Sequence, residues 1–472
     1  MDRVTMKSAP IPSKLLRSAL PAVVLLACMT AMAPTAPAQS GPVPQTVGQA
    51  TLHLDNIELA GATRTRMPTV LLHLPLTPGQ PIDQATLVAA VAELRRSELF
   101  ADVSFYTRPG SERGHLTLVL EVREHRLDFR WAAGNTDLDG WYLVPAMVAW
   151  DNVSGHGDFL DFQWRVGFRH TGLLLNYGRP WANKGRDYWG ARLSSITTDR
   201  PYFSDGVEYR HQVGTSGLAG VYGRRFSKRW LGELGLNLEG VDAADHSTAH
   251  TGSADGGVAE GDEVRGDDLP EGISSGLGKD GRVILHADLQ HDTRAWAHGS
   301  GTPVSGLWGR LKTELTLQEE RSHVGLQADL RAYRRAPAGV LALRLRGAAV
   351  TKDAAFYDRL YLGGMYTVRG FPTHSLSAPG GDTWLWSGSV EHRSRILGDA
   401  KGTRLAGVLF LDAGASGTFD TDAFSGVAAG AGYGLRMRIW WLDWIGIDVG
   451  FPLTARPVDQ RFQLNASIGW SF

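Results

Sequence analysis

Apolar and polar residues alternate through most of the chain, from about Leu127 to the C-terminus. In the run from Leu160 to Phe168 every second residue is apolar, and Leu311–Gln318 and Val324–Arg331 repeat the pattern. A period of two is typical of β-strands with one apolar and one polar face. The pattern therefore predicts a mainly β structure for this part of the chain.

The number and length of these runs favour a barrel. We count about sixteen strands in residues 126–472, an even number, with short turns such as 153–157 and 397–400 alternating with longer connections. A soluble two-sheet sandwich would also alternate, but export and runs long enough to cross lipid at a tilt favour a membrane protein. The predicted fold is a sixteen-stranded antiparallel transmembrane β-barrel.

Residues 51–125 follow a different pattern. A strand at Leu52–Leu59 precedes a short helix at Pro68–Leu74 and a second helix that Asp83 can cap. Two further strands follow, at Val103–Tyr106 and Leu116–Val122. Helices that cover one face of a small sheet form a compact unit, so we predict one small α+β domain ahead of the barrel.

The N-terminus has the pattern of a secretory signal peptide. Basic residues precede the apolar run Leu20–Ala33, and Ala36 and Ala38 form a small-x-small cleavage site. We predict a signal peptide at 1–38 and a linker at 39–50. The single cysteine, Cys28, is then removed; alternatively, the box Leu25–Cys28 directs its lipidation.

Composition and motifs argue against nucleic-acid binding and against catalysis. The net charge is -1, without a basic excess. The 15 histidines, including His286 and His291, lack the grouping of a metal site. We expect neither enzyme activity nor a cofactor nor a metal.

Residues 241–281 form an acidic, glycine-rich insertion. Such a composition buries little apolar surface. We predict a mobile fourth outer loop without a core of its own.

The connection 351–383 contains an unusual motif, Gly363-Gly364-Met365-Tyr366-Thr367-Val368-Arg369-Gly370-Phe371. Arginine is permanently charged, so a buried Arg369 needs carboxylate partners. Strand parity places Glu391, Asp412, Asp448 and Arg436 on the polar face, which lines the lumen of a barrel. We predict that this sixth outer loop folds inward and that Arg369 bonds to Glu391 and Asp412. The alternative is a solvated surface loop.

Three stretches carry a family resemblance: Val368–Phe371, Phe410–Gly414 and Ile447–Leu453. Together they resemble signatures of the bacterial surface antigen family, which includes barrel-assembly proteins and two-partner-secretion transporters. The resemblance implies a loop motif at Gly363, Gly364, Val368, Arg369, Gly370 and Phe371. It implies lumen partners at Glu391, Phe410, Asp412, Gly414, Arg436 and Asp448.

The chain ends on an alternating run from Phe462 to Phe472. We predict a final strand whose apolar face meets lipid. Its terminal aromatics, Trp470 and Phe472, resemble the insertion signal of outer-membrane barrels. Gly469 and Ser471 lie on this strand. They predict that the seam between the last and first strands is poorly packed on its inner side.

Residues 51–125 resemble a POTRA (polypeptide-transport-associated) repeat, with local matches at Glu98–Val103 and Leu118–Val122. The resemblance implies a periplasmic domain whose sheet edge pairs with passing chains by strand addition. A plain adaptor that orients the barrel is the alternative. We find one such unit.

The resemblance implies a protein of the Gram-negative outer membrane that inserts or translocates polypeptides. Its expected partners are unfolded polypeptide clients, outer-membrane lipid and accessory periplasmic or lipoprotein subunits. Two alternatives stay open: a transporter dedicated to one secreted partner, and a passive pore or anchor.

Overall fold

The computed structural model describes residues 3–6, 52–135, 141–167, 169–181, 185–250, 261, 263–297, 300–399, 402–419, 426–439, 443–455 and 460–472. Cys28, Ala36, Ala38 and the linker 39–50 lie outside the described residues, as does most of the predicted signal peptide. Among the described residues, no helix combines the length and the apolar character needed to cross a bilayer.

A four-stranded mixed sheet with two helices forms an N-terminal unit. A short strand, β1 (Arg3–Met6), comes first in the chain and lies outside this unit. The elements of the unit are β2 (Leu52–Ala60), α1 (Met67–Leu71), β3 (Pro81–Ile82), α2 (Gln84–Arg96), β4 (Asp102–Pro109) and β5 (His115–Arg123). The sheet order is β3-β2-β5-β4, with β2 parallel to β5. The edge of β4 is therefore free on one side within the sheet.

Local sequence explains the longer helix of this unit. Asp83 caps α2, because its Oδ1 accepts a hydrogen bond of 2.7 Å from the Thr86 N–H. Leu87, Val91 and Leu94 recur at helical spacing and are buried against the sheet. This apolar face attaches the helix to the sheet, as the sequence pattern indicates.

Sixteen further strands form a nearly closed antiparallel barrel, as predicted. They are β6 (Asp128–Asn135), β7 (Trp141–Asp151), β8 (Phe159–Gly167), β9 (His170–Trp181), β10 (Asp187–Ser204), β11 (Val207–Arg225), β12 (Trp230–His250), β14 (Gly278–Asp292), β16 (Pro303–Gln318), β17 (His323–Ala336), β18 (Gly339–Val350), β19 (Trp384–Asp399), β20 (Gly402–Gly417), β21 (Ala428–Ile439), β22 (Asp443–Pro452) and β23 (Gln463–Ile468). Two short strands and a helix lie between them: β13 (Glu263–Arg265) and α3 (Glu271–Ser274) precede β14, and β15 (Ala295–Trp296) precedes β16. The short strands β13 and β15 are not counted among the sixteen strands of the wall.

The two faces of the barrel differ as a membrane requires. Outward leucines such as Leu234, Leu409 and Leu464 are about 60% exposed, at 62%, 62% and 59%. Inward polar groups are buried and paired; for example, Asp329 accepts hydrogen bonds from Arg331 and Arg344. Charges on the lipid face would cost about 2–4 kcal/mol each at the bilayer midplane, so this segregation favours the membrane-inserted state.

Connections differ in length between the two ends of the barrel. Most of those at the end that carries the N-terminal unit, called the domain end here, are short, as in 152–158 between β7 and β8. The opposite end, called the loop end, carries the longest connection, residues 351–383 between β18 and β19. That segment is the sixth connection at the loop end and is called the sixth loop.

The described part of the predicted acidic loop at 241–281 includes wall strands at both ends. Strand β12 continues to His250 and β14 begins at Gly278, so both ends of the segment belong to the wall. Within it, Leu269 and Ile273 are buried against Phe356 of the sixth loop. The prediction that this insertion buries no core is therefore wrong, because its few apolar residues find partners on another loop.

The predicted final strand also ends early. Strand β23 stops at Ile468, and Gly469 has a φ of +90°, a left-handed conformation that favours glycine. The chain then turns inward, and Trp470 and Phe472 are buried inside the barrel at 8% and 5% exposure. The prediction of lipid-facing terminal aromatics is wrong, because the chain leaves the wall at Gly469 and all three residues that follow are buried inside the barrel.

The first and last wall strands meet at a narrow joint. The Asn135 side chain donates to the Ile468 carbonyl at 2.6 Å and accepts from the Ile468 N–H at 3.0 Å. On the edge opposite β7, which is the edge that faces β23, β6 pairs antiparallel with β1, with Arg3 opposite Asn135 and Met6 opposite Ala132. The edge of β6 therefore accepts an added strand in this structure.

Glu124, which follows β5, holds the segment of the N-terminal unit that contacts the barrel. Its carboxylate accepts from both the backbone N–H and the hydroxyl of Thr65, at 2.7 and 2.6 Å, and from the Thr63 hydroxyl at 2.7 Å. Asn152 of the first barrel turn donates to the Thr65 hydroxyl at 2.6 Å, and Gly155 accepts from the Arg66 N–H at 3.2 Å. These contacts fix the unit against the turn 152–158.

Replacing Glu124 with Gln should loosen this attachment. Hydrogen bonds to a charged group contribute about 1.5–3 kcal/mol, so limited proteolysis should separate the unit from the barrel about tenfold faster or more. The control is Glu93→Gln, an exposed acid paired only with Arg96 on the same helix. Equal cleavage rates for the two variants would contradict this role of Glu124.

The same attachment should resist mild acid. Burial alone would raise the pKa of Glu124, but hydrogen bonds from Thr65 and Thr63 outweigh it and hold the pKa well below its usual range. A depressed pKa in the folded state gives stabilisation that is present above the ordinary glutamate pKa and is lost only as the pH falls through the lowered value. Proteolysis rates of the wild type should therefore change little between pH 7 and about pH 4.5.

Candidate functional site

The sixth loop enters the lumen as a compact turn. The Gly364 N–H donates to the Phe371 carbonyl at 3.1 Å and closes the segment between them. Gly363, Gly364 and Gly370 have φ values of +104°, +97° and +102°, which other residues rarely adopt. Val368 and Phe371 are buried, at 0% and 1% exposure, so the motif is part of the barrel interior.

Arg369 lies at the tip of this turn and is 1% exposed. Its Nε donates to Asp412 Oδ2 at 2.7 Å and its Nη2 donates to Asp412 Oδ1 at 2.9 Å, which forms a bidentate pair. Its Nη1 lies 2.7 Å from Glu391 Oε1 and 3.3 Å from Asp448 Oδ2. One guanidinium therefore joins the loop to three wall strands: β19, β20 and β22.

The flat face of the Arg369 guanidinium also makes a contact, with an aromatic ring of the wall. Its central carbon lies 3.6 Å from the centre of the Phe410 ring, within the range of a cation–π contact. Phe410 precedes Asp412 by two residues on the same strand, so both point inward. The ring excludes water from one side of the cation and strengthens its pairing with the carboxylates.

Two more arginines complete the charge balance. Arg393 pairs with Glu391 at 2.7 Å, and Arg436 pairs with Asp448 at 2.6 Å. The group of Arg369, Arg393, Arg436, Glu391, Asp412 and Asp448 is called the Arg369 cluster here. It contains three guanidiniums and three carboxylates, all buried. Such a group is stable only while every charge keeps its partners, because an unpaired buried charge is costly.

Glycines on the wall make room for the loop. A Cβ on Gly430 would collide with the Arg369 carbonyl oxygen, and a Cβ on Gly450 would lie 2.5 Å from the Gly370 nitrogen. A Cβ on Gly414 would lie 3.1 Å from the Val368 side chain. Strands β20, β21 and β22 therefore form a smooth surface on which the loop backbone lies in direct contact.

Sequence reasoning did not assign three residues to this site. Ser389 donates to Asp412 at 2.6 Å and accepts from Arg369, Arg393 pairs with Glu391, and Ser471 donates to Glu391 Oε1 at 2.6 Å. Ser389 and Arg393 lie two residues from Glu391 on β19, so strand alternation places all three side chains on the same face of the wall; this was the sequence signal that could have found them. Alternation placed Ser471 on the inner face, but no local signal indicated its contact with Glu391 on β19.

The C-terminal residues pack tightly beside the cluster. Ser471 is 2% exposed, Trp470 contacts Trp444, and Arg393 Nη2 donates to the Phe472 carbonyl at 2.9 Å. The sequence-based expectation of poor packing around Ser471 is wrong. Glu391 Oε1 contacts both Arg369 and Ser471, so the sixth loop and the chain end share one carboxylate.

A second polar group lies elsewhere in the lumen, on β12 and β14. The ligand atoms of Glu233, His286 and Asp288 lie within 4.8 Å of one another. Sequence spacing gave no sign of this grouping. However, Arg310 forms an ion pair with Asp288, and the Tyr188 hydroxyl donates to Glu233. These partners already satisfy the carboxylates, so the geometry is that of a structural network in the wall.

The fold and the site together define a class of protein. It is a transmembrane β-barrel of sixteen antiparallel strands, with an inward loop held by a buried arginine and an α+β unit at one end. The family model described as the Omp85 superfamily domain matches residues 152–472. The chain belongs to the Omp85 superfamily and is thus an outer-membrane β-barrel.

Solved structures share this fold. BamA from Haemophilus ducreyi lacking POTRA domains 1-3 matches with a TM-score of 0.65 and 15% identity, over 88% of this chain and 84% of that chain. CdiB from Acinetobacter baumannii matches with a TM-score of 0.52 and 13% identity, over 89% and 74%. CdiB from Escherichia coli matches with a TM-score of 0.51 and 13% identity, over 89% and 77%. No curated protein sequence matches significantly.

Proposed function

We propose that this protein inserts or translocates polypeptides at the outer membrane of a Gram-negative bacterium. The joint between β23 and β6 is the observation that carries the proposal. Other neighbouring wall strands are joined by runs of paired residues, as between β22 and β23, whereas these two meet through the Asn135 side chain. A wall that opens most easily at one joint offers a lateral path for a polypeptide.

The edge of β6 supplies a binding mode for the client. Residues 132–135 of β6 already pair with the four residues of β1 in this structure. Backbone hydrogen bonds are independent of side-chain identity, so strand addition tolerates many sequences. Once signal cleavage removes β1, a client strand takes its place on this edge.

The N-terminal unit provides a first contact for clients. We assign it as a single POTRA-like domain in the periplasm, and its free β4 edge presents unpaired backbone groups. A client segment adds to this edge and is held near the barrel entrance. The Glu124 attachment keeps that edge in a constant orientation relative to the barrel.

The Arg369 cluster supports the wall next to the joint. Its three carboxylates lie on β19, β20 and β22, and one of them, Glu391, also binds Ser471 of the chain end. Because the cluster binds both the loop and the residues after β23, it holds the last wall strands in one conformation while the joint opens. The lumen is therefore a support and not a catalytic site.

Depletion followed by quantitative proteomics of the outer membrane tests the proposal. A role in insertion predicts that many outer-membrane barrels fall together, since they share one assembly route. Loss of a single exported protein would identify a transporter dedicated to that partner. An unchanged outer-membrane and secreted proteome, together with conductance for small solutes in planar bilayers, would refute the proposal in favour of a passive pore.

A further inference from the structure

Basic side chains concentrate on two adjacent turns at the domain end. The turns follow β9 and β11, and the Arg225 N–H donates to the Arg186 carbonyl at 2.7 Å, which holds them side by side. Their described residues include six basic side chains and one carboxylate, Asp187: the basic residues are Arg179, Arg186, Arg224, Arg225, Lys228 and Arg229. This group is called the basic collar here.

The loop end has the opposite character. Its exposed turns and loops carry many acidic residues: Asp205, Asp267, Asp268, Glu271, Glu319, Glu320 and Asp353. The loop end also carries exposed basic residues, such as Arg265, Lys279 and Lys352, and the net charge of the whole chain is only -1. The collar is therefore a local feature and not a consequence of a basic protein.

Two members of the collar face outward, toward lipid. Arg179 lies opposite Trp189, and Trp189 lies opposite Tyr222, in one row on the outer face of β9, β10 and β11. Two residues closer to the turns on the same two strands, Arg224 lies opposite Asp187, and the Arg224 Nε is 3.8 Å from Asp187 Oδ1. The cations thus lie beside the aromatic residues of the outer surface and not in the lumen.

The aromatic residues mark the level of the membrane boundary. Trp189, Tyr222, Phe226 and Trp230 are 40%, 43%, 66% and 42% exposed. Further along the same strands, the outward positions become leucines, with Leu193 at 56% exposure. Aromatic side chains prefer the interface between hydrocarbon and headgroups, so the collar lies at headgroup depth on the domain side.

The collar has unused capacity for hydrogen bonding. Within the part of the chain that the structure describes, Arg179 Nε is buried and has no hydrogen-bond partner. Arg186, Arg224, Lys228 and Arg229 are exposed, and six basic side chains of the collar face one carboxylate of these two turns, Asp187. Guanidinium groups bind phosphate oxygens through pairs of parallel hydrogen bonds.

We propose that the basic collar binds the phosphate groups of anionic phospholipids in the leaflet at the domain end. The outward direction of Arg179 and Arg224 and the adjacent aromatic row favour lipid over an acidic polypeptide, which would enter through the lumen or the N-terminal unit. Bound headgroups hold the β9–β12 side of the barrel in the leaflet; these are the fourth to seventh of the sixteen wall strands, away from the joint between β23 and β6. This side then stays fixed while the joint moves.

Native mass spectrometry of the full chain in detergent tests the proposal, with phosphatidylglycerol and phosphatidylcholine of identical acyl chains as probes. We expect about tenfold or more preference for phosphatidylglycerol, since each basic residue near an anionic surface contributes about 1 kcal/mol. The preference should fall as the ammonium acetate concentration rises. Arg179→Gln/Arg224→Gln/Lys228→Gln/Arg229→Gln should abolish it.

The matched control removes four basic residues at the loop end: Arg265→Gln, Lys279→Gln, Arg321→Gln and Lys352→Gln. It should keep the preference. Heat-modifiable migration on gels verifies folding; if the collar variant fails to fold, Lys228→Gln/Arg229→Gln alone should reduce the preference several-fold. Three results would overturn the proposal. The wild type could bind both lipids equally, both variants could lose the preference equally, or an acidic peptide could displace phosphatidylglycerol.

Discussion

Replacing Arg369 with Ala should release the sixth loop from the lumen and destabilise the barrel by about 3–5 kcal/mol, the usual cost of breaking a buried ion pair. The reason is specific to this cluster. Glu391 keeps Arg393 and Asp448 keeps Arg436, but Asp412 loses its only arginine. Denaturant unfolding and protease access to residues 351–383 measure the two effects.

A second substitution separates these effects. Arg369→Ala/Asp412→Asn restores the charge balance, so it should recover part of the stability while the loop stays released. Arg369→Lys keeps the charge but cannot reach Asp412 in two places and Glu391 at once, so it should rescue only partly. The control is Arg395→Ala, an exposed arginine near the domain end of β19. A protected loop and wild-type unfolding in Arg369→Ala would show that the cluster does not hold the loop.

Gly430→Ala should also displace the loop, although it changes no charge. The added Cβ would collide with the Arg369 carbonyl oxygen, a backbone atom that cannot move away without moving the whole turn. We expect protease access to the sixth loop similar to that of Arg369→Ala, and destabilisation of about 1–3 kcal/mol from overpacking. The same assays measure both outcomes.

The matched control for this variant is Gly220→Ala on β11. A Cβ there would meet nothing within 4 Å, because the residue faces outward. Gly220→Ala should therefore behave as the wild type. If both glycine variants leave the loop protected, close approach of the loop to the wall is not required for its position.

The repeating pattern of the barrel was predictable because each strand obeys the same local rule. A residue that faces lipid must be apolar whatever its neighbours are, so parity alone separates Leu409 and Leu411 from Phe410 and Asp412. The same rule placed Glu391, Asp448 and Arg436 on the inner face. The structure brings Glu391, Asp412 and Asp448 within bonding distance of Arg369, and it pairs Arg436 with Asp448.

Two predictions failed where a contact between distant segments decides the structure. Leu269 and Ile273 lie in an acidic segment and become a core only because Phe356 of the sixth loop covers them. The alternation from Phe462 to Phe472 is regular, but the left-handed Gly469 breaks it and sends Trp470 inward. Glycine permits both conformations, so the pattern around it cannot select one.

By itself, the sequence determined the barrel, its strand number and the inward direction of the charged residues, because burial in lipid or in the lumen acts on each residue separately. Only the tertiary structure decided that Arg393 pairs with Glu391 and Arg436 with Asp448, that Ser471 shares Glu391 with Arg369, and that Asn135 joins the ends of the wall. Pairing depends on strand register, loop path and backbone turns, and these are fixed by contacts between residues far apart in the chain.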